Sequence, residues 1–206
     1  MINWQLFSAF LLITAILVIT PGPIVTLVIA TGAMQGTRAA LITVAGTTVG
    51  NALLIAGIGF GLNVVIRYTA EIFEILRWVG AGYLIWLGIQ AWRHAGSATA
   101  AVTLPRDHVH FRRGFMVALS NPKTIAFFTA FLPQFIDPNY PAGFQLAVMC
   151  AVSVPMAGLS DAGWGIAASA GRSFFQRRAN AKWLGRISGV ALIGGGIWLS
   201  LVRRPV

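Results

Sequence analysis

Apolar residues fall along the chain in six long blocks, at about residues 4–33, 39–62, 73–92, 114–136, 142–171 and 183–202. Polar or basic gaps divide them. No Asp, Glu, Lys or Arg precedes Arg38, and none lies between Arg38 and Arg67. A helix needs about 20 apolar residues to cross a bilayer, so the blocks predict transmembrane helices that take up the whole chain. The first block is too long for one straight crossing and is cut at Thr20-Pro21-Gly22-Pro23. Proline removes an N–H and clashes with the preceding turn, and it pushes the residue before it out of helical geometry. Two half-helices are expected there, over about residues 7–19 and 24–33. The fourth block is interrupted by Ser120-Asn121-Pro122-Lys123-Thr124. The fifth, also long for a straight crossing, contains Pro155 and Asp161.

Three blocks precede the basic stretch at about 94–113 and three follow it. An odd number of crossings per half forces the halves into opposite orientations. The first block of each half is broken, at Pro21-Gly22-Pro23 and at Asn121-Pro122-Lys123. The second of each half holds a buried polar residue, Asn51 or Asp161, and the third is glycine-rich. Interrupted segments at matching positions of two halves point to a transporter's binding site. The expected fold is an all-α integral membrane protein. Its six transmembrane helices form two three-helix halves in inverted orientation (about 1–93 and 114–206), within a single transmembrane domain. Small residues four apart, Gly46 with Gly50 and Gly57 with Gly61, allow close helix packing and a homodimer.

Charge refines this picture. The chain is 57% hydrophobic and 10% charged, with net charge +10; soluble domains carry about 25% charged residues. The basic residues cluster in the gaps as the positive-inside rule requires, which argues against nucleic-acid binding. With the N-terminus outside, ten basic residues face inward: Arg38; Arg93, Arg106, Arg112 and Arg113; Arg172, Arg177, Arg178, Lys182 and Arg186. Four face outward, namely Arg67, Arg77, Arg203 and Arg204. Arg67 with Glu71 and Glu74 with Arg77 are spaced to pair on a helix surface. Trp92 suits an interfacial belt. His108 and His110, near His94 and Asp107, are too few ligands for a metal site. Cys150 has no partner for a disulfide, and the N-terminus reads as a retained first span. No cofactor is expected, and no nucleophile with a base suggests an enzyme.

Lys123 lies ten residues after Arg113, and Asp161 eleven before Arg172. At about 1.5 Å per residue both sit roughly 15 Å deep, near the middle of a ~30 Å core. Asn51 and Pro23, counted from Arg38, come out at similar depth. A charge at the bilayer centre costs roughly 2.5–3.5 kcal/mol on insertion scales. The two charges are therefore expected to pair, or to line one polar cavity. The candidate substrate and proton pathway comprises Asp161, Lys123, Asn121, Asn51, Thr20, Pro21, Gly22, Pro23 and Pro122, with Ser120 a weaker member.

The motifs Thr20-Pro21-Gly22-Pro23, Gln35-Gly36, Gly80-Ala81-Gly82-Tyr83-Leu84-Ile85-Trp86-Leu87-Gly88, Gly114-Phe115, Asn121-Pro122-Lys123 with Phe127-Phe128, Leu132-Pro133-Gln134-Phe135 and Arg186-Ile187-Ser188-Gly189 together resemble the LysE/RhtB-type amino-acid exporters. The resemblance implies a multi-pass exporter of amino acids or related metabolites in the bacterial inner membrane, driven by protons. The residue after Pro-Gly-Pro is often polar in that family and here is Ile24, which favours a more apolar substrate. On this reading the half-helix beginning near Ile24 offers N–H groups to a carboxylate, Lys123 adds charge, and Asp161 receives the ammonium or a proton. The alternatives are a cation or other small-solute carrier, a channel, or a membrane protein that transports nothing.

Overall fold

A computed structural model describes residues 2–66, 70–93, 107–175 and 178–201, and among these every regular element is helical. Helix α1 spans Trp4–Ile19, α2 Pro23–Gln35, α3 Thr37–Ile66 and α4 Ala70–Arg93. After the basic stretch come α5, Asp107–Leu119, and α6, Pro122–Ala130, followed by a 3₁₀ turn at Leu132–Phe135. Helices α7, Ala142–Ala170, α8, Arg172–Phe175, and α9, Arg178–Leu201, complete the chain. Among the described residues, three segments are long and apolar enough to cross a membrane: Thr37–Leu62, Val109–Phe135 and Ala142–Ala170. The pair α1 and α2, bent by 46° at its break, would make a fourth.

Local chemistry sets the helix ends. Asn3 Oδ1 caps α1 by accepting from the N–H groups of Gln5 and Leu6. Pro23 and Pro122 occupy first-turn positions of α2 and α6, where a missing N–H costs nothing. Asn121 caps α6 through the Lys123 N–H at 3.2 Å. Gly36, at φ 89°, turns the chain between α2 and α3, a conformation that glycine adopts without strain.

The helix bound that departs furthest from expectation is the start of α5. Helix α5 begins at Asp107, well before Gly114, so His110 is helical and buried. The cause is tertiary: α5 lies against α3 so closely that a Cβ on Gly46 or Gly50 would collide with the carbonyl oxygen of Phe111 or Phe115, and one on Gly114 with that of Thr43. Helix α7 is continuous through Pro155. The pairings expected from Arg67, Glu71, Glu74 and Arg77, and the histidine cluster around His94 and His108, lie outside the described side chains.

Two other seams are as tight. Gly88 and Gly189 meet each other's backbone between α4 and α9, and Gly32 meets the Gly165 carbonyl between α2 and α7. A cluster that includes Phe10, Ile55, Leu84, Phe127, Phe131, Leu132, Met149 and Leu199 fills the interior on one side of the breaks. A smaller one with Ile24, Val28, Ala40, Val44 and Ala118 fills the other. Between them lies a polar layer.

Candidate functional site

The polar layer is built around the end of α1. Proline after Thr20 stops the helix, and its last four carbonyls lose their i+4 partners, Leu17 O keeping only the Thr20 N–H at 3.2 Å. Each finds a side chain from the second half. Lys123 Nζ donates to Leu17 O at 2.7 Å and to Thr20 O at 2.5 Å. Ser160 Oγ donates to Val18 O at 3.0 Å, and Trp164 Nε1 to Ile19 O at 3.2 Å. Gly22 makes room for this arrangement, because a Cβ there would lie 2.9 Å from Lys123 Cδ. The lysine, 7% exposed, is thus held at the negative end of a helix dipole, where a cation is favoured.

Lys123 and Asp161 do not form an ion pair. Asp161, 4% exposed, takes a hydrogen bond from Thr47 Oγ1 at 3.2 Å, and that hydroxyl also reaches Val44 O at 3.0 Å. Both charges instead line one small cavity together with Gly22, Ile24, Val25, Asn51, Asn121, Thr124 and Ser153. Of the two arrangements expected from their depths, the structure contains the shared cavity. The lysine is drawn away by the carbonyls of α1, which sit closer; Leu17 O has otherwise only a 3.2 Å bond from the Thr20 N–H.

Donors and acceptors that face this cavity are incompletely used. Asn51 Oδ1 is buried and has no partner. An ammonium with three donors that spends two on Leu17 and Thr20 keeps one. The N–H groups of Ile24 and Val25, in the first turn of α2, precede the first intrahelical bond, which Thr26 N makes to Gly22 O; both residues are buried. The cavity measures about 40 Å³, room for about three waters at 10–15 Å³ each.

Of the residues singled out from sequence, Gly22, Asn51, Asn121, Lys123 and Asp161 line the cavity. Thr20, Pro21, Pro23 and Pro122 shape the breaks without lining it. The Thr20 hydroxyl turns back to Ile16 O at 2.6 Å, and exposed Ser120 bonds its own helix at Met116 O. Sequence reasoning passed over Thr47, Ser160 and Trp164. Their signal was helical spacing: Thr47 is one turn before Asn51, and Ser160 and Trp164 flank Asp161 on α7. Among the described residues no three His, Cys, Asp or Glu side chains gather as a metal site would need.

Comparison with known proteins bears on what such a cavity is for. Residues 15–202 match the family described as LysE type translocator. The chain belongs to that family. This translocator is 38% identical over 150 residues to the homoserine/homoserine lactone efflux protein of Salmonella typhimurium, covering 71% of the chain and 72% of the relative. It is 30% identical over 202 residues to an uncharacterized membrane protein of Vibrio cholerae, covering 97% and 98%. A leucine efflux protein of Klebsiella pneumoniae is 30% identical over 143 residues, 65% of this chain and 64% of its own. No solved structure gives a significant match.

Proposed function

We propose that the protein exports amino acids or closely related metabolites across the bacterial inner membrane, with the polar cavity as its substrate site. The observation that carries this reading is the pairing, in one buried cavity, of unused acceptors with unused donors. Asn51 Oδ1 and Asp161 suit a substrate ammonium. The N–H groups of Ile24 and Val25, with the third donor of Lys123, suit its carboxylate, since a helix N-terminus favours anions. Half-helix ends at the midplane bind amino-acid carboxylates in transporters of this general design. Efflux relatives named for homoserine and leucine support an amino-acid substrate.

The translocation cycle proposed here uses six spans in two inverted halves. Its support is the pattern of contacts. Helix α3 packs on α5 and α6 as α7 packs on α1 and α2, while α3 packs on α7 and α4 on α9. These pairs match an exchange of elements by a two-fold axis in the membrane plane; the contacts of α4 with α6 and of α2 with α3 have no comparable counterpart among the described residues. Export would proceed by rocking of the halves around the cavity, and Asp161, the one acid in its wall, would carry the coupled proton.

Efflux of labelled amino acids from cells or vesicles tests both levels. Asp161→Asn should remove the dependence of efflux on the proton gradient while the protein still inserts. Proton-driven efflux at the wild-type rate would rule Asp161 out as carrier. If overexpression neither protects cells from toxic amino-acid analogues nor accelerates efflux of any amino acid, the exporter reading fails.

A further inference from the structure

The polar cavity is too small for a whole amino acid, but it has a larger neighbour. An apolar cavity of about 430 Å³ lies between α3 and α7, walled by Ala52, Ile55, Ala56, Gly59, Leu146 and Cys150 among others. The two are consecutive along the same helix pair. Asn51 lines the polar one and Ala52 the apolar one, Ser153 the first and Val154 the second, and Ile55 lines both. Ile55 is 1% exposed and is the shared wall. The larger cavity offers little to a polar group. Its lining is aliphatic and aromatic apart from the Cys150 thiol, which already points to Ile55 O at 3.7 Å. A dry cavity of about 150 Å³ lined by aliphatic side chains takes up benzene, so this one accommodates a branched or aromatic side chain with room to spare.

We infer that the apolar cavity receives the side chain of the exported amino acid, so that the protein selects leucine-like or larger apolar substrates over small or hydroxylated ones. The inference rests on the exporter reading, which supplies the ammonium and carboxylate anchors at the polar end. The physical case is adjacency. Asn51 Oδ1, buried without a partner, fixes the polar head within one helical turn of Ile55, and the apolar cavity lies on the far side of that single side chain. Small residues at Ala52, Ala56 and Gly59 create the space, and the groove is open along the exposed faces of Ala56 and Ala151. A lipid acyl chain or a second copy of the protein are the other occupants such a groove could take.

Counterflow in proteoliposomes with labelled alanine, homoserine, leucine and phenylalanine separates these outcomes. Wild-type protein should favour leucine and phenylalanine. Filling the groove from its exposed walls, with Ala56→Leu or Ala151→Leu, should lower the leucine-to-alanine rate ratio by about tenfold, the scale on which apolar pockets discriminate methylenes. Cys150 is the chain's single cysteine, so maleimide labelling reports the groove directly. Leucine should slow that labelling and alanine should not. A wild-type preference for homoserine or alanine, or groove-filling that scales all substrates alike with no protection of Cys150, overturns the inference in favour of lipid or a second copy. If no amino acid is transported at all, the exporter reading is what has failed, and the inference falls with it.

Discussion

At the scale of single residues, Lys123 decides most. Its charge is tolerated in an apolar surround because two carbonyls of a broken helix need donors, and only a long, flexible cation reaches both. Lys123→Met should leave Thr20 O unpaired and Leu17 O with only the 3.2 Å bond from the Thr20 N–H. Interhelical hydrogen bonds in membranes average about 0.6 kcal/mol, whereas an orphaned buried acceptor costs about 1–3 kcal/mol. One orphaned acceptor and one lost bond place the loss at roughly 1.5–4 kcal/mol, and Ser160→Ala, which frees only Val18 O, should lose less. Reversible unfolding in detergent or bilayer micelles measures both. Gly22→Ala is expected to behave like a mild Lys123 variant, because its methyl group would take the space of the lysine stem. The residue types of both breaks were plain in sequence. That the lysine would serve the break rather than Asp161 was not, because a depth estimate ranks distance along the membrane normal and says nothing about lateral position.

At the scale of elements, glycine does two different jobs. Gly46, Gly50 and Gly114 let the backbones of α3 and α5 touch, as Gly88 and Gly189 do for α4 and α9. Gly57 and Gly61, spaced four apart like Gly46 and Gly50, face open space. Gly46→Leu should therefore destabilise by at least the roughly 1–3 kcal/mol typical of overpacking. Gly61→Ala should stabilise by up to about 1 kcal/mol, since alanine favours helix and meets nothing there. Thermal unfolding of the two variants side by side checks the contrast, and equal loss from both would refute it. The spacing rule shows that a face is small; whether a neighbour uses it depends on which helices the fold brings together.

At the scale of the whole molecule, polar clamps tie the halves at each end. At one, Asn3 Nδ2 donates to Asp137 Oδ2 at 2.7 Å, and Gln145 braces the loop by accepting from the Asp137 N–H at 3.0 Å and donating to Asp137 O at 2.9 Å. At the other, Arg172 donates to Ala33 O and Met34 O, each at 2.5 Å, which closes the end of α2 as Lys123 closes the end of α1. The Asn3 amide, and then the Asn139 N–H, hold the Asp137 carboxyl below the usual carboxylate range, against the opposing effect of burial. A depressed folded value means that the clamp's contribution is intact above the unfolded value and is lost as pH falls through the folded one. Stability should thus be flat near neutrality and fall in acid, and Asp137→Asn should shrink that acid-side fall. Melting temperature against pH for both proteins measures it, and an unchanged acid limb would remove Asp137 from the account.

The order of apolar blocks and breakers carries the helical class, the two proline breaks and the polar residues of the midplane, because a bilayer penalises each unpaired charge or backbone group strongly enough for single positions to be read. Lateral placement had to come from packing. Steric contact between α3 and α5 carried α5 back to Asp107. Competition among acceptors sent Lys123 to the carbonyls of α1, and the facing of α3 on α7 set a large apolar cavity beside a small polar one across Ile55. Such outcomes depend on which helix faces which, a relation that periodicity within one segment does not contain.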